Sequence, residues 1–272
     1  MSFELHSRHL AVLDRARVIF APWLIERSDP PTPRVRFLVE PHAGSRWRVS
    51  RQGDVDAVLE SLDLALTTVE YRAVASLLEP DSGVVAIHAA LVSRAGRGVL
   101  LAGPKESGKT TLACALWRRG WSLHSDDTTL VDDGPVARGI ARRISLRATS
   151  RSLLGADLWE RIEGLPGTTR TSQGSLFHPR EARAEPAAED SVAVAAVVFL
   201  GRRGATPPAG GTERIDPARG LIALAPYCNQ RDAGIGRALA ALQPLADRAR
   251  FFDLGRGGLT EMTERVEAAA AS

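Results

Sequence analysis

Cysteine is scarce in this chain: its 272 residues hold two, Cys114 and Cys228. They form no CxxC pair, and two cysteines do not frame a disulfide scaffold of this size. Cys114 lies in an apolar run and reads as a small core residue. Charge of one sign is also lacking: 35 Lys and Arg stand against 32 Asp and Glu, a formal net charge of +3. No Lys/Arg run, zinc-ligand spacing or aromatic ladder accompanies that excess, so nucleic acid is not an expected partner. The longest apolar run, 192–200, is far too short to span a bilayer. The opening residues, MSFELHSRHL, lack the basic-then-apolar pattern of a secretory signal. The expectation is a cytoplasmic, soluble protein with no membrane partner. At 44% hydrophobic and 25% charged residues, a packed core is within reach. The length allows one large domain, or an ordinary domain with a smaller companion.

Along the chain, 34–40 (RVRFLVE) and 46–50 (RWRVS) alternate like strands around a turn-like 41–45. Residues 54–78 are rich in helix formers, with Val55, Val58, Leu59, Leu62, Leu66 and Val69 at helical spacing. The Glu-Pro-Asp-Ser-Gly segment at 79–83 breaks that pattern. It divides a small N-terminal α+β region, 1–82, from a larger domain, 83–272. The N-terminal region is expected either to bind an acceptor or to pack on the larger domain. Beyond the boundary, 84–93 reads as one buried strand, 94–98 as a turn, and 99–102 (VLLA) as a short strand covered on both faces. Residues 109–119 read as a helix stopped by Gly120, and 121–123 as the start of a strand running into Asp126 and Asp127. Further strands are expected at 144–146, 192–200 and 251–254, with helices at 153–162, 235–243 and 260–270. Loops are expected at 164–190 and 201–211.

The octapeptide Gly103-Pro104-Lys105-Glu106-Ser107-Gly108-Lys109-Thr110 fits G-x-x-x-x-G-K-[ST] at every fixed position. An apolar strand precedes it and an amphipathic helix follows, which is the context the motif requires. Gly103 and Gly108 permit backbone angles that a Cβ would block. The turn then aims successive N–H groups at phosphate oxygens, and the helix adds the positive end of its dipole. Gly103, Lys105, Glu106, Ser107, Gly108, Lys109, Thr110 and Thr111 are therefore the nucleotide-binding candidates. In this motif the lysine reaches the β- and γ-phosphates and the Thr110 hydroxyl binds magnesium. Lys105 reads either as a phosphate contact or as a solvated loop charge.

Asp126 and Asp127 follow Lys109 by 17 and 18 residues. They sit where strands of a parallel sheet end and ligands bind. One carboxylate suits a magnesium ion, and the other suits the proton of an attacking hydroxyl. The short gap of one helix and one strand is that of small kinases rather than motors or switches. His88, alone in an apolar run, reads more readily as a core residue than as a catalyst.

Ile87-His88-Ala89-Ala90-Leu91-Val92, the segment from Gly96 to Gly103, Ser107-Gly108-Lys109-Thr110-Thr111-Leu112-Ala113, Arg119-Gly120-Trp121-Ser122-Leu123 and Ser125-Asp126-Asp127 together resemble the catalytic core of the HPr kinase/phosphorylase family. Arg143-Ile144-Ser145-Leu146-Arg147 extends the likeness more weakly. The resemblance implies an α/β fold: a P-loop kinase core of HPr-kinase/PEP-carboxykinase-like type with a mixed sheet. It implies ATP and Mg2+ as cofactors and transfer to a serine hydroxyl. Asp126 would be the base, Asp127 with Thr110 would hold the metal, and His88 would join Lys109 at the active site. The aspartate roles can equally be exchanged or shared. The chain lacks the Gly-Arg-Asn-rich signature tied to phosphorolysis, and its N-terminal region is shorter than the bacterial regulator's. That departure points away from HPr as acceptor. It points towards short relatives that phosphorylate a serine of a precursor peptide in natural-product (RiPP, lasso peptide) pathways. A homo-oligomer is a further family trait.

A transition-state arginine is expected among Arg143, Arg147, Arg170 and Arg231. The segment Thr168-Thr169-Arg170 is a further candidate for phosphate contact. Two other readings stand beside the peptide kinase: a small-molecule hydroxyl kinase on the same fold, and a nucleotide-binding regulator without transfer. No guanine-reading N-K-x-D is present, which argues against a G protein.

Overall fold

The computed structural model describes residues 3–24, 35–78, 85–131, 134–140, 142–179, 191–202, 210–228 and 235–272. The chain divides into two units, Met1–Ser82 with Pro166–Thr169, and Gly83–Leu165 with Arg170–Ser272.

In the first unit, strands β1 (Phe3–His6), β2 (Val35–Pro41), β3 (Trp47–Arg51) and β4 (Asp54–Leu59) form a sheet in that order, with helices α1 (Leu10–Ile19) and α2 (Leu62–Leu77). Alternation in β2 sends Val35, Phe37 and Val39 into a core with Val12, Ile19, Leu66 and Val69. Arg36, Leu38 and Glu40 line a cleft of about 890 Å³ on the other face of the sheet. The helix expected over 54–78 is instead a strand and a helix. Gln52 (φ 54°) and Gly53 (φ 100°) form a two-residue hairpin turn, and Arg51 pairs with Asp54 across it. Helix α2 starts only at Ser61, whose side chain accepts the Leu64 N–H at 3.2 Å.

The second unit is built on a mixed sheet. Its strands are β5 (Val85–Ile87), β6 (Ala89–Arg94), β7 (Arg97–Ala102), β8 (Ser122–Ser125), β9 (Thr129–Val131) and β10 (Val136–Gly139), followed by β14 (Ser191–Phe199), β15 (Thr212–Ile215) and β16 (Arg250–Leu254). The order is β5-β9-β10-β14-β7-β6-β8, with β16 also on β14 and β15 on β16. β7 runs parallel to β14 and antiparallel to β6, and β8 is antiparallel to β6. Alternate residues of β7 feed two cores. Val99 and Leu101 join α3 (Lys109–Arg118) and α8 (Leu259–Ala271), while Leu100 and Ala102 join α6 (Pro217–Leu224) and α7 (Ile235–Ala246). The sheet is thus covered on both faces, as the wholly apolar strand requires. A register shift at Val194/Ala196 changes which face later β14 residues meet: Val192, Val194, Val197 and Phe199 share one core.

A small sheet packs beside α3: β11 (Ile144–Arg147), β13 (Gly174–Phe177) and β12 (Thr169–Thr171), in that order. The hairpin of β12 and β13 lies inside the stretch expected to be a loop; residues 180–190 of that stretch lie outside the described residues. The helix expected over 153–162 is two, α4 (Arg151–Leu154) and α5 (Ala156–Glu163), separated by Gly155 at φ 84°. The strand expected over 84–93 is broken at His88, whose N–H donates to Tyr227 O at 2.7 Å between β5 and β6. The expected boundary at 79–83, most of the loop expected at 201–211, and Arg231 lie outside the described residues.

Candidate active site

Residues 103–108 connect the buried end of β7 to the start of α3. A Cβ on Gly103 would stand 2.7 Å from Ser107 Oγ and 2.8 Å from Leu200 O, so the loop closes only with glycine there. Gly108 takes φ +91° and begins the helix. Ser107 Oγ is buried in this loop without a hydrogen-bond partner among the described residues. Lys109 folds back across the loop. Its Nζ donates to Gly103 O at 2.9 Å and Pro104 O at 3.0 Å, and contacts His88 Nε2 at 3.3 Å. Burial pushes the Lys109 ammonium below the ordinary lysine value, with Asp127 and Asp126 opposing.

An ammonium only donates, so His88 Nε2 accepts and its Nδ1 carries the proton. That N–H faces Asp127 Oδ1 at 2.8 Å. The break at His88 between β5 and β6 is what frees the imidazole to join loop and carboxylate. Asp127 Oδ2 accepts from Arg142 Nη2 at 3.2 Å. Asp126 turns the other way: its Oδ2 accepts from the Thr110 hydroxyl at 3.2 Å and the Ser145 N–H at 3.3 Å. The two neighbours therefore differ electrostatically. Asp126 is buried, 6% exposed. Burial pushes its carboxyl up to about 6, against the pull of Arg142, the Ser145 N–H and the Thr110 hydroxyl, and with a further push from Asp127. The Asp127 side chain is 35% exposed. Burial raises its carboxyl too, but the hydrogen bond from His88 and the charges of Arg142, His88 and Lys109 outweigh it and hold the group below the usual range.

His88, Lys109, Thr110, Asp126 and Asp127 thus meet around the loop, and Thr111 Oγ1 lies 2.8 Å from Ser150 Oγ. Arg147 Nη1 donates to Glu106 at 2.9 Å. Lys105 is exposed. Of the other arginine candidates, Arg143 is buried at 1% exposure, and Arg170 pairs with Glu163 at 3.2 Å. Arg142 went unnoticed in the sequence. It lies 15 residues from Asp127 and no motif marks it; only the turn of chain into β11 brings the two together. Among the described residues no three or more His, Cys, Asp or Glu side chains are grouped to hold a metal, and no helix is long and apolar enough to cross a membrane.

Residues 51–137 match the family model of ScmC, described as a SynChlorMet cassette protein. The matched stretch is roughly a third of the chain and contains all of 87–127, which carries the HPr-kinase resemblance. No curated protein matches it. Among solved structures, the Hpr(Ser) kinase/phosphatase from Coxiella burnetii aligns at 13% identity and a TM-score of 0.36, covering 67% of this chain and 95% of that one.

Proposed function

We propose that the protein is an ATP- and magnesium-dependent kinase that transfers the γ-phosphoryl group to a serine hydroxyl of a protein or peptide. The observation that carries this reading is the hydrogen-bonded row from Lys109 through His88 to the half-exposed Asp127. It ties a phosphate-binding loop to a carboxylate that an acceptor can reach.

The loop fits a polyphosphate: Gly103 lets it close on itself, Gly108 lets it turn into α3, the α3 N-terminus adds positive charge, and Ser107 Oγ is a buried hydroxyl in want of a partner. Thr110 and Asp126 fit a hard divalent cation, since both offer oxygen and a carboxylate raised by burial gains most from a cation. Magnesium held there would neutralise charge on the phosphates. Distance and exposure therefore favour the exchanged order of roles: metal on Asp126, proton on Asp127. A serine arriving from solvent meets Asp127, whereas Asp126 lies behind it against Thr110.

Lys109 leaves its loop carbonyls for the β- and γ-phosphate oxygens. The acceptor oxygen forms a bond to γ-phosphorus as the bond to the β–γ bridging oxygen breaks. ADP leaves, and the hydroxyl proton passes to Asp127. His88 and Arg142 hold that carboxylate ionised and aimed. The peptide acceptor rests on the family resemblance, and the cassette description of ScmC directs the search for it to neighbouring genes.

The test incubates the protein with magnesium, γ-labelled ATP and three acceptor sets: serine peptides encoded beside its gene, HPr, and a metabolite pool. Asp127→Asn is expected to lower transfer by roughly 10²–10⁴-fold while nucleotide affinity stays within a few-fold. Lys109→Ala is expected to weaken triphosphate binding. Transfer at the wild-type rate in Asp127→Asn removes that residue as the base, and unchanged affinity in Lys109→Ala sinks the phosphate-loop assignment. A phosphorylated metabolite makes the protein a small-molecule kinase. ATP bound with no acceptor modified makes it a regulator.

A further inference from the structure

We infer that Glu106 and Arg147 form a latch over the phosphate loop: Glu106 parks the Arg147 guanidinium, and the terminal phosphate of a bound triphosphate takes it over. The inference rests on the phosphate-loop reading above and assigns, within it, the residue that tells a triphosphate from a diphosphate.

Glu106 is the fourth residue of the loop and stands at φ +68°. Among the described residues two other non-glycine positions, Gln52 and Ala95, have positive φ. Both sit in two-residue hairpin turns, where that conformation is what the turn requires. At Glu106 it belongs to the turn that the Ser107 N–H closes on Pro104 O at 3.2 Å. Glycine would adopt the same backbone freely, and a carboxylate where phosphate must approach repels the ligand. A glutamate here is an electrostatic liability unless a cation covers it, and Arg147 does so at 2.9 Å.

Arg147 combines a fixed root with a free tip. Its backbone pairs with Gly174 in the small sheet, and the next N–H, of Ala148, donates to Gln173 O at 2.8 Å. Two residues before it, the Ser145 N–H binds Asp126; three residues after it, Ser150 Oγ meets Thr111 Oγ1. Ser145 and Arg147 lie on the same, exposed side of β11. The root is therefore pinned beside the aspartates and the loop. The side chain is 55% exposed and makes a single hydrogen bond among the described residues, to a glutamate that is itself 63% exposed. The other arginines are committed: Arg142 to Asp127, Arg170 to Glu163, Arg143 to the interior. A phosphate group carries more charge than a carboxylate and matches the guanidinium fork with two oxygens, so it wins the exchange.

The test measures ATP and ADP affinity of the full chain with magnesium, for the wild type, Glu106→Gln, Arg147→Ala, Arg147→Lys, the Glu106→Gln/Arg147→Ala double variant and Lys109→Ala. Arg147→Ala is expected to weaken ATP by roughly tenfold, the worth of one charge-assisted bond, and ADP by less than about twofold. Arg147→Lys should recover part of the ATP loss. Glu106→Gln should tighten ATP by a few-fold and lose that effect in the double variant, because the two residues act on each other. Equal weakening of ATP and ADP by Arg147→Ala overturns the latch, as does a Glu106→Gln gain that survives without Arg147. In either case a large loss in Lys109→Ala leaves the phosphate-loop reading standing. An unchanged Lys109→Ala overturns that reading, and the latch with it.

Discussion

Asp126 has a hydroxyl and an amide for hydrogen-bond partners, and the charge of Arg142 nearby, but burial outweighs all three. That arrangement has a thermodynamic signature. A carboxyl whose folded value is about 6, against an ordinary 3.8, binds its proton more tightly folded than unfolded. Ionising it therefore costs stability: the penalty is absent below about pH 4, grows as pH rises, and is complete above about pH 6. In magnesium-free buffer, Asp126→Asn should raise stability at pH 7.5 by an amount on the order of 1–3 kcal/mol, and the gain should vanish at pH 4. Added magnesium should stabilise the wild type and leave the variant unmoved, because ligands stabilise only the form that binds them. Thermal melts at both pH values, with and without the ion, check this. Equal destabilisation at every pH would show that Asp126 is held for packing and not for a cation. Asp127, next in sequence, contrasts with it: His88 and Arg142 hold it ionised. Adjacent identical residues thus acquire different chemistry from what each side chain is turned towards.

The loop between β7 and α3 is the element on which the site depends, and its shape rests on close backbone approach. At Gly103 a methyl group would press on Ser107 Oγ, which can rotate, and on Leu200 O, which is main chain and cannot give way cheaply. Gly103→Ala is expected to shift the loop and weaken ATP binding by roughly tenfold or more, the equivalent of one lost hydrogen bond to a charged group. Calorimetric titration checks it, and wild-type affinity would show that the loop adapts. Glycines at fixed spacing with a following lysine made this element legible in advance, because only glycine meets the steric demand. The strand β4 was not legible in the same way. Val55, Val58 and Leu59 fall at helical spacing by coincidence, and the signal that decides the case is the Gln52-Gly53 pair between alternating segments. The segment 142–150 was legible only as a weak likeness. Its four contacts, to Asp127, Asp126, Glu106 and Thr111, come from three side chains and one backbone amide, and none has a spacing rule.

Across the whole molecule, apolar side chains gather in separate cores. One, with Phe37, Val49 and Leu66, belongs to the unit that opens the chain, and the other two lie on either face of the large sheet. Separate cores lead to the expectation of two unfolding transitions. Leu66→Ala should move one and Leu101→Ala the other, each by about 2–5 kcal/mol, since both leucines are fully buried. Scanning calorimetry of the full chain reads both. If each substitution shifts a single common transition, the two units unfold as one.

What the sequence determined by itself is local: the glycine-rich loop 103–108 with its flanking strand and helix, the Asp126–Asp127 pair at the end of β8, and the apolar strands of the central sheet. Each depends on residue type at short spacing, through backbone conformation or two-residue alternation. What only the tertiary structure decided is which groups face one another. His88 joins Lys109 to Asp127 because the chain breaks between β5 and β6. Arg142 and Arg147 reach the site because β11 runs beside it, and Asp126 lies behind Asp127 because it is turned towards Thr110. These are contacts between residues 15 to 41 positions apart. A side chain's burial, partners and proton affinity are properties of the packed neighbourhood, which no stretch of sequence carries alone.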